Sequence, residues 1–131
     1  MTTLAEIDLE SVSLGATGLQ TSELQFGTWR FGRETAEGNL EIGENRAHEL
    51  LDAYAAAGGR YIDTADIYGG GASEEWIGDW LADRNRDRFT IASKIFWQIR
   101  EGDANSRGTN RKTVRERIDA LLERLGTDHV D

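Results

Sequence analysis

The stretch GGRYIDTADIYGGGASEEWIG, running from Gly58 to Gly78, decides how this chain is read. It predicts a short apolar strand through Tyr61 and Ile62 that ends on Asp63. A polar, glycine-rich loop carrying Tyr68 follows. A helix then shows Trp76 and Ile77 on one face. An acid at a strand end, with a tyrosine five residues on in a loop unsuited to core, marks a candidate site. The next strand predicted along the chain, in FTIASK, ends on Lys94 and brings an ammonium to the same end of the sheet.

Upstream of this stretch, Ala47, Leu50, Leu51, Tyr54 and Ala55 fall at helical spacing. They predict a helix from Asn45 that Gly58-Gly59 stop. His48 lies among charges on that helix and is read as part of a solvated face. Arg30 to Glu44 shows no sustained period and is read as loop. Leu24 to Gly27 reads as a first buried strand, ending in Gly27-Thr28-Trp29. Before it, Val12 and Leu14 face Leu19 across Gly15-Ala16-Thr17-Gly18, the pattern of a hairpin. Residues 1–10 are acidic and are expected to be poorly ordered.

Downstream, Ser73 reads as an N-cap. Trp76, Ile77, Trp80 and Leu81 form an apolar stripe to about Ala82. Trp76 and Trp80, at i and i+4, are read as packing rather than as an aromatic platform. Phe89 to Ser93 is a third strand, and Ile95 to Asn110 a long loop. Arg111 to Leu125 carries Val114, Ile118, Leu121, Leu122 and Leu125 on one helical face, with Gly126 as its stop. His129-Val130-Asp131 reads as the start of a fourth strand.

Strand–helix units at a spacing of roughly 30 residues imply a parallel sheet with helical crossovers. An open dinucleotide-binding sheet wants a glycine fingerprint between first strand and first helix, and the loop after Gly27 has no G-x-G-x-x-G. Trp29, Asp63 and Lys94 instead stand at the C-terminal ends of successive strands, as in a barrel. The predicted fold is α/β: part of a (β/α)8 TIM barrel, with an N-terminal hairpin, about three βα units and the start of a fourth strand. Residues 1–131 are read as a single domain.

The net charge of −9 argues against nucleic acid or an anionic membrane as partner. Cysteine is absent, so no thiolate metal site or disulfide is expected. No apolar run approaches the roughly 18 residues of a membrane span. The acidic start MTTLAEIDLE lacks the apolar core of a secretory signal. A cytoplasmic protein is expected. Lysine occurs only at Lys94 and Lys112, against 13 arginines. That balance resembles proteins of a salty cytoplasm, and a plain acidic protein fits equally. No His/Asp/Glu cluster has metal-ligand spacing. Gly69-Gly70-Gly71 lacks the Lys-Ser/Thr of a phosphate loop and is read as a flexible loop on the substrate side.

Gly58-x-Arg60-x-Ile62-Asp63-Thr64-Ala65 resembles the signature of the aldo-keto reductase family, and Glu75-Trp76-Ile77-Gly78 is the better fit to its second half. LGATGLQTSELQFGTW is similar to that family's opening hairpin and first strand. SKIFW with Arg107 to Lys112 resembles the branch that includes the potassium-channel β subunits. The resemblance runs from Val12 to Asp131. It implies an NADP(H)-dependent oxidoreductase that reduces an aldehyde or ketone by hydride transfer, with NADPH as cofactor. It implies Tyr68 as proton donor and Asp63 and Lys94 as the pair that tunes it. Gly27, Thr28, Trp29 and Asp63 are then expected at the cofactor.

The chemistry is coherent: an ammonium beside a phenol stabilises the phenolate, and a carboxylate keeps that ammonium charged. By the residues alone, Asp63 and Lys94 also fit a structural ion pair, and Tyr68 a packing tyrosine. The family's histidine, a few residues into the fourth strand, is expected to be absent because the chain ends at Asp131; His129 precedes the Val-Asp step and is not its equivalent. Two other readings stay open: a cofactor-sensing regulatory subunit, and an inactive fragment that self-associates through an open barrel edge.

Overall fold

The computed structural model describes residues 7–131. A hairpin comes first, with β1 (Ser11–Ser13) antiparallel to β2 (Gln20–Ser22) and Val12 opposite Thr21. Its turn is closed by the Leu14 N–H, which donates to the Leu19 carbonyl at 2.9 Å. The expected disorder of residues 1–10 lies, for 1–6, outside the described residues. Leu9 is tied down, its N–H donating to the Ala57 carbonyl at 2.7 Å.

Three parallel strands follow in chain order: β3 (Gln25–Gly27), β4 (Tyr61–Asp63) and β5 (Thr90–Ala92). Phe26, Ile62 and Ile91 stand level across the sheet. Helix α1 (Glu44–Ala56) connects β3 to β4, α2 (Ala72–Leu81) connects β4 to β5, and α3 (Arg111–Leu125) follows β5. Neighbouring parallel strands joined by helices are the repeat with which a (β/α)8 barrel opens.

The strand period of two explains the core. Ile62 and Ile91 point towards the helices and are fully buried against Leu51, Ile77, Trp80 and Leu121. Tyr61 and Asp63 point the other way. The Arg111–Leu125 helix is capped as its sequence predicts. Asn110 Oδ1 accepts from the Thr113 N–H at 3.0 Å, and Gly126 turns left-handed at φ 63°.

Several elements differ from the sequence reading. The Leu24 to Gly27 segment is not buried: Leu24 is largely exposed and Phe26 only half-buried, because β3 has one neighbour in the sheet. The Arg30 to Glu44 loop contains the buried Phe31, bridged to Ile42. A single aromatic gives no period to detect. Ser73 is not an N-cap. The helix begins at Ala72 after Gly71 at φ 103°, and Ser73 lies inside with its hydroxyl buried. His48 is not simply solvated, since its Nε2 meets the Trp76 carbonyl at 2.8 Å and joins α1 to α2. Trp76 and Trp80, by contrast, pack inward as read, with Trp80 Nε1 donating to Asp52 Oδ1 at 2.8 Å.

The glycine run is not a loose loop either. Tyr68–Gly71 is a tight, kinked turn in which Gly69 and Gly70 take φ of 59° and 66°, and a Cβ on Gly69 would come within 2.6 Å of the Phe31 carbonyl. Glycine is needed there for close approach and positive φ. At the far end, His129 to Asp131 form no strand. Even so, the Asp131 N–H donates to the Ile91 carbonyl and its carboxylate accepts from the Ile91 N–H, both at 2.9 Å. Among the described residues, no helix is long and apolar enough to cross a membrane.

Gly78 sets how closely α2 approaches α3. A Cβ there would lie 2.4 Å from the Arg124 carbonyl oxygen and 2.9 Å from the Leu125 carbonyl carbon. Backbone atoms cannot rotate aside, so the helices would have to part. We predict that Gly78→Ala lowers stability by about 1–3 kcal/mol, the usual cost of overpacking, despite alanine's better helix propensity. Urea unfolding should show a lower midpoint at unchanged slope. An unchanged midpoint would refute the packing account.

Candidate active site

The parallel ladder runs past the strand ends. The Thr28 N–H donates to the Asp63 carbonyl at 3.1 Å, and the Thr64 N–H to the Ala92 carbonyl at 2.8 Å. Further on, the Asp66 N–H donates to the Lys94 carbonyl at 3.1 Å. These bonds hold the tips of β3, β4 and β5 side by side. The Tyr68 N–H then closes a turn on the Ala65 carbonyl at 3.1 Å, which returns the tyrosine towards the tip of β5.

At that tip, Asp63, Tyr68 and Lys94 come together. The Lys94 ammonium donates to Asp63 Oδ2 at 2.8 Å and to the Thr64 carbonyl at 2.7 Å. It lies 3.4 Å from the Tyr68 hydroxyl and 5.0 Å from the centre of its ring. An ammonium has three donors, and here each has an oxygen. Partial burial pushes the Lys94 pKa down. The hydrogen bond and charge of Asp63, followed by those of Tyr68, outweigh it, and the pKa is raised. The lysine side chain is 51% exposed, so water still screens the pair. A cavity of about 260 Å³ lies beside it, lined by Ala65, Ile67, Tyr68, Lys94, Phe96 and Trp97 among others.

The three residues after β3 behave differently from one another. A Cβ on Gly27 would meet nothing within 4 Å. Trp29 is exposed, with the Arg33 guanidinium 3.9 Å above its ring. Thr28 is fully buried and shows no side-chain surface. Its Oγ1 donates to the Asp63 carbonyl at 2.9 Å and accepts from Ser73 Oγ at 2.8 Å. Ser73 Oγ lies 2.9 Å from Thr64 Oγ1. Each hydroxyl has one proton, so the direction is fixed: Thr64 donates to Ser73, Ser73 to Thr28, and Thr28 to the Asp63 carbonyl. At the β3 tip, then, Gly27 leaves open space and the Trp29 indole faces outward.

Sequence reasoning missed two buried acids around this site. Glu74 is fully buried, whereas Glu75, the acid matched to the signature, lies at the surface. Glu74 Oε1 accepts from Ser93 Oγ at 2.6 Å and Oε2 from Arg124 Nε at 2.7 Å, joining α2 to the residue before Lys94 and to α3. A signal was present, because Glu74 stands at i, i+3 and i+7 with the buried Ile77 and Leu81. The second is Asp66, paired inside the fold with Arg117.

Residues 23–131 match the family model described as Aldo/keto reductase family. A norsolorinic acid reductase of Emericella nidulans is 36% identical over 120 residues, which is 87% of this chain and 31% of that protein. An aryl-alcohol dehydrogenase of Pestalotiopsis microspora is 35% identical over 123 residues, 88% of this chain and 32% of that protein. Among solved structures, an aldo-keto reductase from Bacillus halodurans in its holo form matches with a TM-score of 0.77 and 28% identity. That match covers 94% of this chain and 38% of the other. The chain thus spans about a third of the length of these two curated relatives.

The ion pair gives a pH prediction. A raised lysine pKa means that the pair's contribution to stability is complete at neutral pH. It is lost only as pH rises through the folded-state value. Asp63→Asn removes the charge that opposes burial, so the Lys94 pKa should fall. Nitrogen-edited NMR of the ammonium across an alkaline titration reads this directly, and a midpoint that stays put would refute it.

Proposed function

The chain belongs to the aldo/keto reductase family, and from that premise we propose that it carries the proton-donating part of an NADP(H)-dependent carbonyl reductase site. The observation that carries this reading is the Lys94 ammonium held between the Asp63 carboxylate and the Tyr68 hydroxyl, at 2.8 and 3.4 Å. Reducing an aldehyde or ketone turns the carbonyl oxygen into an alkoxide that must take up a proton. Tyr68 is the group placed to give it. The phenolate left behind would face a full positive charge at Lys94, and Asp63 keeps that charge in place. A buried or half-buried lysine without such an acid would tend to neutralise.

A reduced nicotinamide, when bound, supplies the hydride. Gly27 and Trp29 at the β3 tip, with the Thr28 backbone and Asp63, are the residues that would hold its ring. The relatives' names point to aromatic carbonyl compounds as substrates. The exposed Phe96 and Trp97, whose rings meet edge to face at 5.5 Å, suit such a ring beside the cavity. Relatives named as a reductase and a dehydrogenase also favour an enzyme over a cofactor-sensing subunit.

The test is NADPH oxidation by this chain with an aromatic aldehyde, followed by absorbance. Tyr68→Phe and Lys94→Met should each lower kcat by about 10²-fold or more, the scale of general acid catalysis, with a smaller effect on cofactor binding. No turnover by the folded wild-type chain, or a full rate in Tyr68→Phe, would overturn the proposal.

A further inference from the structure

We infer that Arg117, acting through Asp66, positions the Tyr68 turn against Lys94. This rests on the reading of Tyr68 and Lys94 as a working pair and extends it to residues that do not touch the cavity's reacting groups. Arg117 is 1% exposed and sits on the buried face of α3 with Thr113, Leu121 and Leu125. A charge on such a face needs partners. Its Nε donates to Asp66 Oδ2, a carboxylate that is itself buried. Its Nη1 donates to the Trp97 carbonyl at 2.6 Å and, at longer reach, to the Ser106 carbonyl at 3.5 Å. Among the described residues Nη2 has no partner.

Every bond of this guanidinium therefore goes to one of two segments. One is the turn between β4 and Tyr68, and the other is the loop that follows Lys94. Asp66 stands at their crossing. Its N–H donates to the Lys94 carbonyl at 3.1 Å, its carboxylate meets Arg117, and it lies two residues before Tyr68. A buried ion pair is seldom more stabilising than an apolar pair of the same volume. What the planar fork adds is orientation in two directions at once. The Tyr68–Lys94 distance of 3.4 Å is near the limit of a hydrogen bond. A small displacement of the turn would break it while leaving the Lys94–Asp63 pair intact.

A plainly structural Arg117 would only fasten the 95–110 loop, and its loss would leave the Lys94 amine unchanged. The chain has two lysines, Lys94 and Lys112, and Lys112 is exposed on the first turn of α3. Amine acylation read by peptide mass spectrometry therefore reports Lys94 against an internal reference. The Arg117→Met/Asp66→Asn double variant removes both charges and leaves neither unpaired. Losing the Tyr68 contact removes one of the influences that raise the Lys94 pKa, so more free amine is present at a given pH. The Lys94 to Lys112 labelling ratio should rise several-fold, with the Lys112 rate and the circular dichroism unchanged.

Should the double variant not fold, Arg117→Gln/Asp66→Asn, which also removes both charges but keeps hydrogen-bonding groups at both positions, carries the test with the same expected rise. An unchanged ratio in a folded variant overturns the inference, even if hydrogen exchange in the 95–110 loop increases. The measurement needs no cofactor and no turnover. An inactive chain with a responsive Lys94 would sink only the reductase reading, and an active chain with an unresponsive Lys94 only this one.

Discussion

The level register of three parallel strands is the constraint on which the rest depends. Phe26, Ile62 and Ile91 stand opposite one another. Their neighbours one to three residues on must then arrive at the same end of the sheet. Asp63 follows Ile62 directly, and Lys94 follows Ile91 by three residues. The backbone bonds from Thr28 to Asp63 and from Thr64 to Ala92 extend the alignment beyond the strands. A slip of one residue would turn Asp63 towards the helices and carry Ile62 to the opposite face. The apolar core thus fixes the chemistry, because the burial of Ile62 and Ile91 admits one register only.

Around that alignment the fold places charge where apolar residues would serve as packing. Glu74 ties α2 to Ser93 and Arg124, and Arg117 ties α3 to Asp66 and the loop after Lys94. Both pairs flank the Lys94 tip, one before it in sequence and one after. Pairs of this kind add modestly to stability but are exacting about geometry. The site is supported by directional bonds on its outer side and by close apolar packing beneath.

The sequence made the frame legible where periodicity is long. The spacing of Val114, Ile118, Leu121 and Leu125, with Gly126 after them, marks α3 to within a residue. The alternation around Asp63 and before Lys94 marks the strand tips. What stayed hidden has one residue or one atom pair as its cause. Phe31 is buried without a repeating pattern. Ser73 looks like a cap because a serine before an apolar run often is one, but its hydroxyl is engaged between Thr28 and Thr64. The Gly69 to Gly71 run looks mobile in composition, yet all three take a positive φ, and at Gly69 the Phe31 carbonyl is also too close for a Cβ. The sequence brought Asp63, Tyr68 and Lys94 forward as candidates. Glu74 and Arg117 went unseen because a charge on a mostly apolar face reads as an imperfection in the pattern.

The one-way chain of hydroxyls from Thr64 through Ser73 and Thr28 has a consequence for how this protein can diverge. Each member is donor to the next, so losing Ser73 strands the Thr64 proton and losing Thr28 strands the Ser73 proton in a dry interior. Positions 28, 64 and 73 are therefore linked in inheritance: they drift jointly or they do not drift. Three residues far apart in the gene are bound to a common fate by the single hydrogen bond that each donates.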